Sequence, residues 1–116
     1  MTKDDFTRFV GRELQQIAIG KFQIIFNFHE DLSISVESDL EWCHGKESAR
    51  WKIGDKDVPQ NMPWMRLIGH RISIIQWLDD ESLKLSFENG DELIFLKRSE
   101  GRESFQITKG SKVWVY

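Results

Sequence analysis

The chain writes one packing scheme twice, and few folds can accept such a duplication. The stretch FVGRELQQI, from Phe9 to Ile17, returns as LIGHRISII, from Leu67 to Ile75. Phe9, Val10, Gly11, Leu14 and Ile17 fall on Leu67, Ile68, Gly69, Ile72 and Ile75. Further on, FQIIFNFHEDLSI from Phe22 to Ile34 lies over LKLSFENGDELIF from Leu83 to Phe95, which sets Phe26 on Phe87 and Leu32 on Leu93. The matched positions are mainly apolar or Gly, so what repeats is a core pattern and not a chemical site. Two copies of one apolar face can bury each other across a pseudo-twofold axis.

Local patterning identifies the unit as a β-meander. Leu83, Leu85 and Phe87 alternate with Ser82, Lys84 and Ser86, the period of a strand with one buried face. Asn89-Gly90 supplies the positive φ angles of a tight turn, and Glu92 to Lys97 returns as the partner strand. Arg71 to Leu78 precedes them as a further strand, ended by the polar turn Asp79-Asp80-Glu81. In the first copy Phe22, Ile24, Phe26 and Phe28 alternate with polar residues and Ile25. Leu32, Ile34 and Val36 follow the turn His29-Glu30-Asp31. Phe6, Phe9, Val10, Leu14 and Ile17 also fit a helical stripe capped by Asp4. The extended look of Ile72, Ile74 and Trp77 limits any helix to a short one before Gly11. Ser104 to Thr108 and Lys112 to Tyr116 are late strands around Lys109-Gly110-Ser111. The expectation is a mainly β single domain of seven or eight strands with little helix. It consists of two repeated antiparallel β-meanders, packed as a sandwich or a small barrel. The repeats span 9–42 and 67–116, and an irregular insert, 43–66, containing Pro59 and Pro63, separates them.

Composition narrows the function. A chain of 116 residues, 40% hydrophobic, can bury roughly two-thirds of its unfolded surface without metal or disulfide. A net charge of −3 offers no broad field for phosphates, so nucleic acid is not an expected partner. The single cysteine, Cys43, excludes an internal disulfide framework and fits a reducing compartment. The charged start MTKDDFTRF and the lack of a long apolar run argue against a signal peptide or a membrane span. A soluble cytoplasmic protein is the expectation.

No catalytic, metal or cofactor motif emerges. Cys43-His44 pairs a thiol with an imidazole, but neighbours on a strand point to opposite faces. His29, His44 and His70 lack ligand spacing. The acidic turns Asp79-Asp80-Glu81 and Glu88 with Asp91-Glu92 lie at opposite ends of one strand and read as solvated turns guarding strand edges. An enzyme would require at least two of His29, His44, His70, Asp79, Asp80, Asp91 and Glu92 to converge in one cleft. Trp77 and Trp114 belong to strands and the core. Trp42, Trp51 and Trp64 bracket the middle segment with Met62 and Met65. At least two of these three indoles are expected to fold the segment over the sheet. Exposed Trp and Met nevertheless serve as anchors on binding surfaces, with Arg50, Lys52 and Arg66 as a charged rim.

Gly69, the strand Leu83-Leu85-Phe87, the Asn89-Gly90 turn and the segment Glu103 to Ile107 together resemble a family of short bacterial proteins catalogued as a domain of unknown function. That resemblance implies no activity. Small acidic bacterial β proteins of this kind are in turn similar to immunity proteins, which neutralise a toxin by binding it. The expectation is therefore a non-enzymatic protein-binding module, most concretely a toxin inhibitor without cofactor or metal. Trp42, Arg50, Trp51, Met62, Trp64, Met65, Asp79, Asp80 and Glu81 are its candidate partner-binding residues. A domain that holds a small ligand between its repeats is the alternative, and an edge strand is a candidate homodimer contact.

Overall fold

The computed structural model describes residues 3–52, 62–79, 81–97 and 104–116. Ten strands follow one another: β1 (Leu14–Ile19), β2 (Ile24–Phe28), β3 (Leu32–Val36), β4 (Asp39–His44), β5 (Glu47–Lys52), β6 (Ile72–Trp77), β7 (Leu83–Phe87), β8 (Glu92–Leu96), β9 (Phe105–Lys109) and β10 (Lys112–Val115). Short 3-10 helices, Lys3–Phe9 and Pro63–Leu67, precede β1 and β6. The strands form two antiparallel five-stranded sheets, β1-β2-β3-β9-β10 and β5-β4-β8-β7-β6, packed as a sandwich. The expected sandwich of two meanders is therefore present, as are the hairpin around Asn89-Gly90 and the short helix before Gly11. The side chain of Asp4 falls outside what is described.

Three expectations need correction. First, the described residues hold ten strands, because the described parts of 43–66 are regular. The first part completes a β4–β5 hairpin, and Pro63 opens the second 3-10 helix, where a missing N–H costs nothing. Pro59 lies outside the described residues. The hairpin is hard to see in sequence because β5 is an edge strand that buries little, and only Ala49 and Trp51 carry its inward alternation.

Second, neither meander makes a sheet alone. β3 pairs with β9 and β8 pairs with β4, so each repeat ends in a hairpin that adds to the sheet of the other. The middle segment thus has a counterpart. β4–β5 matches β9–β10 down to the turns, where Gly45 and Gly110 hold φ of 59° and 60°.

Third, the second block of the repeat is displaced by two residues from the sequence match. Leu14 pairs with Phe28 and Ile72 with Phe87, so Phe28, not Phe26, is the counterpart of Phe87. Continuing round the hairpins, Ile34 matches Leu93, and Val36 matches Phe95. A period-2 pattern superposes on itself after a shift of two, so alternation alone cannot fix register. Phe28 and Phe87, equivalent residues, stack across the axis with ring centroids 6.4 Å apart.

At that axis the two halves are joined. The Gly11 N–H donates to the Ile72 carbonyl at 2.8 Å, and the Gly69 N–H donates to the Leu14 carbonyl at 2.7 Å. The Leu14 and Ile72 N–H groups donate in turn to the His70 and Arg12 carbonyls at 2.9 and 3.0 Å. Glu13 and Arg71 form the bridge at the centre. Gly11 and Gly69 both sit at φ 93°, a backbone state that disfavours a Cβ. Each first strand then bulges, between Leu14 and Gln16 and between Ile72 and Ile74, which bends it from the junction into its own sheet.

Buried side chains fill the space between the sheets. Phe26 meets Phe95 edge-on at 5.4 Å, and Phe6 and Trp64, at matching places in the two 3-10 helices, are fully buried. The void beside Phe6, Ile34 and Leu85 is about 10 Å³, room for one water at most. Among the described residues no helix is long and apolar enough to cross a membrane.

Gly11→Ala and Gly69→Ala should each lower unfolding free energy by roughly 1–3 kcal/mol, the cost of forcing a side-chain-bearing residue into this conformation. A Cβ meets nothing within 4 Å at either position, so the loss is conformational and should be alike for both in urea titrations.

Candidate functional site

Among the buried positions described, the superposed halves differ in charge at one. Leu32 is a buried leucine at the start of β3, and its counterpart at the start of β8 is Asp91, with no exposed surface. Ile107 is matched by Trp42, and Lys109 by His44. The fold therefore tolerates an apolar residue at this position, and the polar substitution is specific to one half.

The local sequence positions the carboxylate. The Asp91 N–H is held by Asn89 Oδ1 at 3.0 Å, and its carbonyl accepts from the Phe87 N–H at 2.8 Å. From this turn the side chain reaches inward, and donors from three other places meet it. Arg66, in the last turn of the 3-10 helix, donates Nε to Oδ2 at 2.9 Å and Nη2 to Oδ1 at 2.6 Å. Trp42 on β4 donates its indole N–H to Oδ2 at 3.1 Å. His44 Nδ1, two residues along β4, lies 2.6 Å from Oδ1. The guanidinium also covers the Trp42 ring at 5.4 Å, a cation–π contact. Gly90 lies beside the imidazole, where an added Cβ would stand 3.4 Å from His44 Cε1.

Burial alone would raise the carboxyl pKa of Asp91. The hydrogen bonds from Arg66, Trp42 and His44, together with the Arg66 charge, outweigh it and hold the group down at about 2. The same bond raises Arg66 above its ordinary value. An ionised carboxylate only accepts, so His44 carries its proton on Nδ1 and keeps Nε2 for another partner. The Arg66 and His44 side chains remain 49% and 43% exposed. The arrangement is a buried anion that fixes two exposed nitrogen-rich groups in place.

The surroundings are mixed: Glu47, opposite His44 across β4–β5, is a second carboxylate acting on Arg66, and apolar side chains stand near it in the chain. Met65 and Ile68 are exposed, Met62 and Trp51 are half-buried, and Trp51 packs edge-on against Trp64 at 5.8 Å. Of the residues expected to contact a partner, Trp42 and Trp64 are 3% and 0% exposed. Their indoles are core, as anticipated for at least two of the three, and cannot anchor a partner. Arg50 is exposed and paired with Asp39 at 2.9 Å on the outer side of β4–β5. Glu81 pairs with Lys97 at 2.8 Å, Asp79 is exposed in the same turn, and Asp80 lies outside the described residues. The turn containing Asp79 and Glu81 is thus at the far end of β7 from Asp91.

Asp91 itself corrects the reading of Glu88, Asp91 and Glu92 as solvated turns, because a charged residue after Asn-Gly looks like turn polarity whichever way it points. Its three partners lie 25 to 49 residues away, beyond the reach of a local pattern. Cys43 and His44 diverge as expected. The thiol donates to Glu41 at 3.5 Å, and partial burial with that carboxylate pushes its pKa up. No group of three or more His, Cys, Asp or Glu among the described residues is placed to hold a metal. Comparison with known protein families, curated proteins and solved structures finds no match to this chain.

Asp91 also makes stability depend on acid. Its folded pKa is depressed, so the unfolded chain binds the proton first, and the contribution is complete above pH 5 and lost as pH falls towards 2. Urea midpoints should reveal about 2 kcal/mol lost over that window, a drop that Asp91→Leu should largely abolish.

Proposed function

We propose that the protein is a non-enzymatic protein-binding module whose anchor is Arg66, flanked by His44, Met65, Ile68 and the half-buried Met62 and Trp51. The observation that carries this reading is the bidentate hold of buried Asp91 on Arg66 at a position where the other half of the same fold uses Leu32. A buried ion pair is a poor source of stability compared with an apolar residue of similar size. What it supplies is order. Arg66 keeps its orientation before any partner arrives, so less side-chain entropy is lost on docking. Arginine framed by methionine and aromatic surface is also the composition of interface hot spots.

The complementary partner is a protein presenting a carboxylate inside an apolar rim. In the immunity-type role suggested by the sequence resemblance, that partner is a toxin and the module occludes it. Catalysis is a second reading, favoured by the hydrogen bond that orients His44 on Asp91. Among the described residues Cys43, the nearest thiol in the chain, is turned away from the imidazole towards Glu41. Small-ligand binding between the sheets is disfavoured by the filled core.

The test uses three proteins as bait against lysate of the native host: wild type, Arg66→Glu, and the double variant Asp91→Leu/Trp42→Ile, which copies the Leu32 and Ile107 of the other half. Both variants should keep cooperative melting while losing a protein that wild type retains. Equal retention by all three baits would refute the anchor. Turnover of an ester or phosphodiester by wild type but not by His44→Gln would favour the catalytic reading instead.

A further inference from the structure

The duplication also provides a control for the molecular surface. Outward positions of the β5-β4-β8-β7-β6 sheet carry Arg50, Glu41, Lys84 and Glu92. Their counterparts on the β1-β2-β3-β9-β10 sheet are Val115, Gln106, Ile25 and Ser33. The other outward positions of those strands are Val113, Thr108, Ser35, Asn27, Gln16 and Ala18, so none of these strand positions is charged, and exposed Glu37 stands just past the end of β3. The edges differ in the same direction. Edge strand β5 bears Glu47, Arg50 and Lys52, the usual protection against pairing, whereas its counterpart β10 has Lys112 alone, followed by Val113 and Val115.

The free groups of β10 are fixed by register. Tyr116 exchanges hydrogen bonds with Phe105, so with antiparallel alternation Trp114 bonds to Ile107 and Lys112 to Lys109. The backbone N–H and C=O of Val113 and Val115 therefore point away from β9. Among the described residues nothing pairs with them, and the two valines are 53% and 50% exposed.

We infer that β10 is the self-association edge, occupied by β10 of a second copy in antiparallel register about a twofold at Trp114. That register sets Val113 opposite Val115 of the other copy, which makes every outward N–H meet an outward C=O. Lys112 falls opposite Tyr116, so no like charges are apposed, and the two faces join into one continuous sheet. Any register that sets Lys112 against Lys112 is repelled, and a charged partner gains nothing from these uncharged strand positions. A second copy is the occupant that fits. This inference is independent of the Arg66 anchor.

Sedimentation equilibrium over a wide concentration range tests it. Wild type should move from the chain mass of 13.7 kDa towards twice that value. Val115→Pro, which removes an N–H unused within the monomer, should weaken dimerisation roughly tenfold or more. Val113→Lys/Val115→Lys should abolish it, with far-UV circular dichroism confirming the fold. A wild type that stays monomeric throughout, or a dimer indifferent to the folded variants, overturns the proposal. Should either variant fail to fold, wild-type amide exchange decides. Val113 and Val115 amides that slow with concentration support the edge, and exchange independent of concentration rejects it.

Discussion

Everything in this molecule depends on the reciprocal backbone joint between Gly11–Leu14 and Gly69–Ile72. It closes one side of the sandwich with four hydrogen bonds of 2.7 to 3.0 Å and fixes the axis about which the two halves correspond. Both glycines sit where a Cβ is disfavoured, and each adjoining strand bulges at the same point to leave the joint and enter its sheet. Once that axis exists, each meander faces the other, and the terminal hairpin of each half pairs with the last meander strand of the opposite sheet. The core is a consequence of this crossing, with Phe28 stacked on its own counterpart Phe87.

Much of this was legible because the joint is short and its residue types are unusual. Gly11 and Gly69 stand at the same distance from the apolar residues around them, and no periodic ambiguity can disguise a glycine. The Asn89-Gly90 hairpin was legible for a similar reason. Register was not, because Phe26 and Phe28 lie on the same face and either satisfies an alternating pattern opposite Phe87. Nor was β5, whose side chains are largely exposed, so that Ala49 and Trp51 leave only a faint alternation.

The polar cluster shows a different limit. Asp91, Arg66, Trp42 and His44 each have an ordinary explanation in isolation: turn, rim, core and loop. Only in three dimensions do they become one object, a carboxylate wholly removed from solvent and held by every donor around it. Symmetry turns that object from a curiosity into an argument. Leu32 and Ile107 demonstrate that the architecture is content with hydrocarbon there, so the cost of burying a charge must be offset by something other than folding. The residues best placed to benefit, Arg66 and His44, are the exposed ones.

The crossing of hairpins has a consequence for how the protein is made. During synthesis β1, β2 and β3 emerge early, but the strand that flanks β3 is β9, near the other end of the described chain. Until it appears, the nascent first half presents a bare edge along β3. Long-range pairing of this sort is slow. The interval before closure is when chaperones would have most to protect.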